Sequence, residues 1–151
     1  MSTVQDVFDI AVRLMDAQNE STGSTNTADT KEYRLRTPSL LNSILDRAYP
    51  ASDTCPAASG GRRPVCPKVE TMEDETGLDE YLSTGVLPFG LAGLLLSEEN
   101  PTLANFFWQT FLEQLDEALF NRQSAELEAM FLATVDQLSR LSPYFPRMAA
   151  K

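Results

Sequence analysis

Residues Asn100 to Leu119 read NPTLANFFWQTFLEQLDEAL. Asn100 can cap a helix, and Pro101 fits the first turn, where its missing N–H would have had no partner anyway. Leu103, Phe107, Phe111, Leu115 and Leu119 then recur at roughly four-residue spacing, the signature of one helix face. Phe106 and Trp108 point elsewhere. A helix apolar on more than one face is buried on two sides, so this segment is either central to the fold or at a subunit interface.

Working back from it, Leu78 to Ser97 forms another helical pattern, with Leu78, Tyr81, Leu82, Val86, Leu91, Leu94 and Leu95 inward. Pro88 should kink this helix. Gly85, Gly90 and Gly93 each cost about 1 kcal/mol of helix propensity against Ala. Three such residues imply that another backbone comes close. Further back, Tyr33, Leu40, Leu41, Ile44, Leu45 and Ala48 make a stripe on a helix starting near Asp29, where Asp29 and Glu32 have capping-box spacing. Pro38 either kinks that helix or restarts it, with Thr37 as cap. The first helix spans about Val4 to Gln18, with Val4, Val7, Phe8, Ala11, Leu14 and Met15 at helical spacing and Ser2 or Thr3 as cap.

Working forward, Ser124 to Leu141 reads as a fifth helix carrying Leu127, Met130, Phe131, Val135 and Leu138. The tail at 142–151 holds Tyr144 and Phe145 between two prolines, either as a docking segment or folded back on its own helices. Residues 50–70 are rich in Pro and Gly, which break regular structure. They form a loop or short hairpin arm bearing Arg62, Arg63 and Lys68. The arm either reaches a neighbouring subunit's acidic surface or is a solvated loop. The expectation is an all-α single domain over 1–151, a compact bundle of four to five helices with this arm and tail.

Charge is distributed unevenly. The chain has 12 basic and 22 acidic residues, net −10, and no Lys or Arg lies between Lys68 and Arg122. That window holds Glu70, Glu73, Asp74, Glu75, Asp79, Glu80, Glu98, Glu99, Glu113, Asp116 and Glu117. Phosphate affinity comes from Lys and Arg, so no specific nucleic-acid binding is expected from this surface, and no membrane binding. The longest apolar run, Val86 to Leu96, is too short to span a bilayer, and the first residues carry no signal-peptide pattern.

The chemistry-bearing residues are sparse. The absence of His removes the commonest general base and zinc ligand. Cys55 and Cys66 without His make a poor tetrahedral site and read as two reduced thiols, with a loop-closing disulfide the weaker alternative. Glu73-Asp74-Glu75 and Asp79-Glu80 lack the spacing of a calcium loop and read as the acidic first turn of a helix. No nucleotide-binding, metalloprotease or nucleophile-elbow motif is present. The expectation is a protein that is not an enzyme, with no catalytic, metal or cofactor-binding residues.

The run Leu78-Asp-Glu-Tyr-Leu, Val86-Leu-Pro-Phe-Gly-Leu-Ala-Gly-Leu-Leu-Leu, Glu99-Asn-Pro, Ala104-Asn-Phe-Phe to Phe111, with the earlier Asp29-Thr-Lys-Glu-Tyr-Arg-Leu-Arg-Thr-Pro-Ser-Leu-Leu-Asn, resembles head–tail connector (adaptor, or head-completion) proteins of tailed bacteriophages and prophages. The resemblance covers roughly residues 4–120, and its motifs are packing motifs. It implies a helical subunit, assembled in the host bacterial cytoplasm into a homo-oligomeric ring below the portal protein. The ring would sit in the virion neck, extend the DNA channel and receive the tail or a stopper protein. A channel that passes DNA without holding it is electronegative, so Asp79, Glu80, Glu98 and Glu99 are the candidate channel face. Arg62, Arg63, Lys68, Phe106, Trp108, Tyr144 and Phe145 are the candidate subunit interface, because a ring subunit needs two different contact surfaces. The alternative is an acidic phage-encoded inhibitor, a DNA mimic that binds a basic host protein.

Overall fold

In the computed structural model, residues 1–17, 20–56 and 64–141 are described. Among them are five α-helices: α1 Val4–Leu14, α2 Lys31–Ala48, α3 Glu80–Gly85, α4 Leu87–Leu95 and α5 Pro101–Leu141, with a single 3-10 turn at Tyr49–Ala51 after α2. The all-α class expected from the sequence is the class observed.

α4 is the centre, packing against each of the other four helices. Leu87, Pro88, Gly90, Leu91, Ala92, Gly93 and Leu95 are all buried. A helix apolar all round belongs inside, and the glycines show how it gets there. A Cβ on Gly90 would lie 3.0 Å from the Phe111 ring and 3.1 Å from Ile44. One on Gly93 would lie 3.1 Å from the Ala104 carbonyl and 3.2 Å from the Trp108 nitrogen. The bare backbone at these two positions lets α4 sit against α5. Gly85 has open space around it, so the close approach expected of three glycines belongs to two.

The expected single helix over 78–97 is two. The chain breaks at Val86 (φ −119°, ψ −52°), and Pro88 lies in the first turn of α4. Pro88 has no N–H to donate to a carbonyl of the preceding turn. The helix therefore stops and restarts rather than bending. Pro38 does the opposite: α2 runs through it unbroken. The Thr37 hydroxyl donates to the Tyr33 carbonyl at 2.7 Å, and α2 buries Thr37, Leu41, Ile44, Leu45 and Ala48. The capping box expected from Asp29 is not formed. Thr30 is the N-cap, and its hydroxyl donates instead to the Thr25 carbonyl at 2.6 Å.

Of the two caps expected for α1, Ser2 or Thr3, it is Thr3 that caps it, in a capping box: its hydroxyl accepts from the Asp6 N–H, and the Asp6 carboxylate accepts from the Thr3 N–H at 2.9 Å. Free donors at a helix start need partners. The loop 70–79 supplies carbonyls for two of them, Asp74 to Val4 (2.9 Å) and Met72 to Gln5 (2.8 Å). The expected acidic helical turn at Glu73-Asp74-Glu75 is therefore a loop edge along the N-terminus. Its carboxylate work is local: Asp74 accepts from the N–H groups of Glu70 (2.8 Å) and Thr71 (3.0 Å).

The largest departure is α5. Two helices were expected, 100–119 and 124–141, and a single 41-residue helix is found, about 60 Å long at the standard rise. Nothing between Phe120 and Leu127 breaks a helix: there is no Gly or Pro. The change in apolar pattern there marks a change of environment. Ala104, Phe107, Phe111, Leu115 and Ala118 are buried against the core, and from Ser124 onward the helix stands clear of it with almost every residue exposed.

Candidate assembly surface

From Phe120 onward, α5 carries seven of the twelve large apolar side chains that are exposed among the described residues. Phe120, Leu127, Met130, Phe131, Leu132, Leu138 and Leu141 are all more than half exposed, Phe131 at 67%. Their placement follows from helix geometry. At about 100° per residue, the buried set Ala104 to Ala118 defines one side of the helix. Phe120, Leu127, Phe131, Leu138 and Leu141 fall on the opposite side, roughly half a turn round. The core of the same protomer cannot reach that side.

Where the two regimes meet, α5 is fastened. The Arg122 guanidinium donates to the carbonyls of Pro50 (2.8 Å), Ser52 and Cys55 (2.7 Å) and pairs with Glu126 at 3.2 Å. One planar group with several fixed donors can hold three carbonyls at once. Arg122 thus ties the helix to the turn that follows α2. Sequence reading treated Arg122 only as the end of the acid-only window, since three carbonyls converging from a distant loop leave no signal in the sequence. Beside it, Pro50, Cys55, Pro56, Pro64, Leu119 and Met130 line a groove of about 540 Å³.

The candidate acidic channel residues separate into two groups. Asp79 is the N-cap of α3. One of its carboxylate oxygens accepts from the Leu82 N–H at 2.9 Å, and the other accepts from the Asp53 N–H at 2.9 Å. Glu80 accepts from the Ser2 hydroxyl at 2.6 Å and lies 3.8 Å from the N-terminal ammonium. Glu98 and Glu99 lie beyond α3 and α4, in the turn before α5. Glu98 is exposed, and Glu99 accepts from the Tyr33 hydroxyl. Burial, the hydrogen bond to Glu99 and the nearby Glu99 charge push the Tyr33 phenol up to about 12.

Of the candidate interface residues, Lys68 is exposed and Phe106 is 61% exposed beside Phe107. Trp108 is half-buried. Its ring lies 5.2 Å from that of Phe111, and the Arg47 guanidinium sits 5.7 Å above it. Arg62, Arg63, Tyr144 and Phe145 lie outside the described residues, as does the middle of the arm at 57–63. The described flanks of the arm contain no strand, and the single β-bridge among described residues joins Thr3 to Glu75.

Among the described residues no group of three or more side chains could hold a metal ion, and no helix is long and apolar enough to cross a membrane. Cys55 and Cys66 are buried free thiols. Burial, with help from Asp46 and then Cys55, pushes the Cys66 thiol up to about 11, so it is protonated and unreactive at neutral pH.

Compared with protein-family models, curated proteins and solved structures, the chain matches none of them.

Proposed function

We propose that the chain is a structural subunit of a tailed-phage head–tail connector, which assembles with copies of itself on a portal protein and extends the DNA channel in the virion neck. The observation that carries this reading is the apolar stripe on the outward side of α5. A continuous exposed apolar surface of this kind marks a protein-contact site. The resemblance over residues 4–120 supplies the kind of assembly. The acid-only window supplies a surface suited to passing DNA: Glu98, Glu113, Asp116 and Glu117 are all exposed, with no Lys or Arg among them to hold a phosphate. A DNA-mimic inhibitor would use the same acids but has no use for the apolar stripe.

The test is to mix the purified chain with a cognate portal ring and measure mass by light scattering behind size exclusion. Co-assembly into a portal-sized particle is the expected result. A chain that ignores the portal, and instead binds a basic host protein in a salt-sensitive way, would transfer the function to the DNA-mimic class.

A further inference from the structure

We infer that Phe120 to Leu141 of α5 form a helix–helix seam with the same stretch of a second copy of this chain. The inference deepens the homo-oligomer part of the proposed function and rests on that part alone, with no dependence on a portal. It stands on three observations: the spacing of the apolar residues, the side of the helix they occupy, and the local charge.

The spacing is heptad. Phe120, Ser124, Leu127, Phe131, Thr134, Leu138 and Leu141 follow one another at intervals of four and three, the repeat that keeps a stripe facing a parallel or antiparallel neighbour helix along its whole length. The stretch of 22 residues is about 33 Å long. Met130 and Val135 flank the seam and widen the stripe beyond the narrow strip that two helices alone would cover. That width suits a helix with more than one like neighbour, as in a ring.

The side is outward. The same helix buries Phe107, Phe111 and Leu115 against its own core and presents the seam on the opposite side, so intramolecular closure over the core is geometrically blocked. Among the described residues no segment of the same chain lies over the seam, and a second copy is the occupant inferred.

The charge selects which molecule. Phe120 to Leu141 carries only Arg122, Arg140, Glu126, Glu128 and Asp136, net −1 in a chain of net −10. Arg122 pairs with Glu126 (3.2 Å) and Arg140 with Asp136 (3.0 Å), which leaves Glu128 as the one carboxylate of this stretch outside an ion pair among the described residues. A basic partner finds little here to attract it. An anionic membrane surface is bound by helices whose polar face is rich in Lys and Arg, and this one is not. For a second copy, this is the surface along which two strongly acidic molecules approach with the least repulsion.

The experiment uses the full chain. Mass is measured by light scattering at low and high protein concentration for the wild type, for the triple variant Leu127→Ala, Phe131→Ala, Leu138→Ala, and for Ala133→Glu on the far side of the helix. Alanine keeps helix propensity and none of the three replaced side chains touches the core, so circular dichroism should match the wild type. The wild type is expected to self-associate and Ala133→Glu to follow it. The triple variant should self-associate more weakly by roughly a hundredfold or more. A triple variant with wild-type mass overturns the seam while leaving the homo-oligomer reading intact. A wild type that stays monomeric at both concentrations also overturns the seam, and the portal experiment then decides the function separately.

Discussion

Arg122 holds three loop carbonyls with one guanidinium, and hydrogen bonds to charged groups are among the stronger ones. Arg122→Ala leaves those carbonyls without their donor and should lower the stability of the fold by about 2 kcal/mol. Arg122→Lys should recover little, because an ammonium cannot span the three. Urea midpoints of the three proteins decide it, and an unchanged midpoint for the Ala variant would sink the clamp. The glycines of the middle helices give an opposed pair. Gly90→Ala drives a methyl to 3.0 Å from the fully buried Phe111 ring and should cost roughly 1–3 kcal/mol. Gly85→Ala meets nothing within 4 Å and should stabilise by about 0.5 kcal/mol, through a less free unfolded chain. Equal effects at the two positions would mean that α4 is not packed as tightly on α5 as the distances say. Tyr33 gives a pH dependence. Its phenol is raised from 10.0 to about 12, first by burial and then by its hydrogen bond to Glu99, so the folded state favours the protonated form. The stabilisation is complete below pH 10 and is lost as pH rises from 10 towards about 12. Tyr33→Phe should flatten that alkaline loss in a melting-temperature profile.

At the scale of elements, the helices that α4 gathers were readable because their apolar residues recur at helical spacing: Val4, Val7, Phe8 and Ala11 in α1, and Leu41, Ile44, Leu45 and Ala48 in α2. The breaks were harder. Pro38 and Pro88 look alike in sequence, yet one lies inside a helix and the other opens one. The difference depends on what the neighbouring turns do, and a local pattern does not carry it. The division of α5 into two helices failed for a related reason. An apolar stripe that jumps to the opposite side reads as a new helix, although the backbone never stops. The site shared this fate. Phe106 and Trp108 stood out as aromatics, whereas the outward stripe consists of residues assigned to a fifth helix of the core, and only the three-dimensional placement shows that no core lies beneath them. An isolated helix of this length is marginal in water without packing. Amides of 127–141 should therefore exchange quickly in dilute protein, as lightly packed segments do. They should become protected at concentrations where copies associate, while α4 amides stay protected throughout. Exchange in 127–141 that ignores concentration would remove the stripe from any contact between copies.

The whole molecule combines a net charge of −10 with an apolar, nearly neutral projection, and the two make opposite demands on salt. Long-range repulsion between acidic copies weakens as ionic strength rises, since the screening length falls from about 30 Å at 0.01 M to about 3 Å at 1 M. Contact through the outward stripe of α5 buries apolar surface, which salt does not screen. Association through that stripe should therefore strengthen as sodium chloride is raised. The other arrangement open to this chain sets the basic residues near Lys68 against the acids of a neighbour, and a contact of that type weakens over the same range. Sedimentation equilibrium of the full chain at low, physiological and high salt separates the two by the sign of the change. A dissociation constant that falls with salt assigns the contact to α5 and leaves the acids free to line a channel. One that rises with salt assigns it to the basic loop and occupies those acids in the contact. The electronegative channel would then need acids outside that contact, and the exposed Glu113, Asp116 and Glu117 on α5 are the first to test by charge reversal.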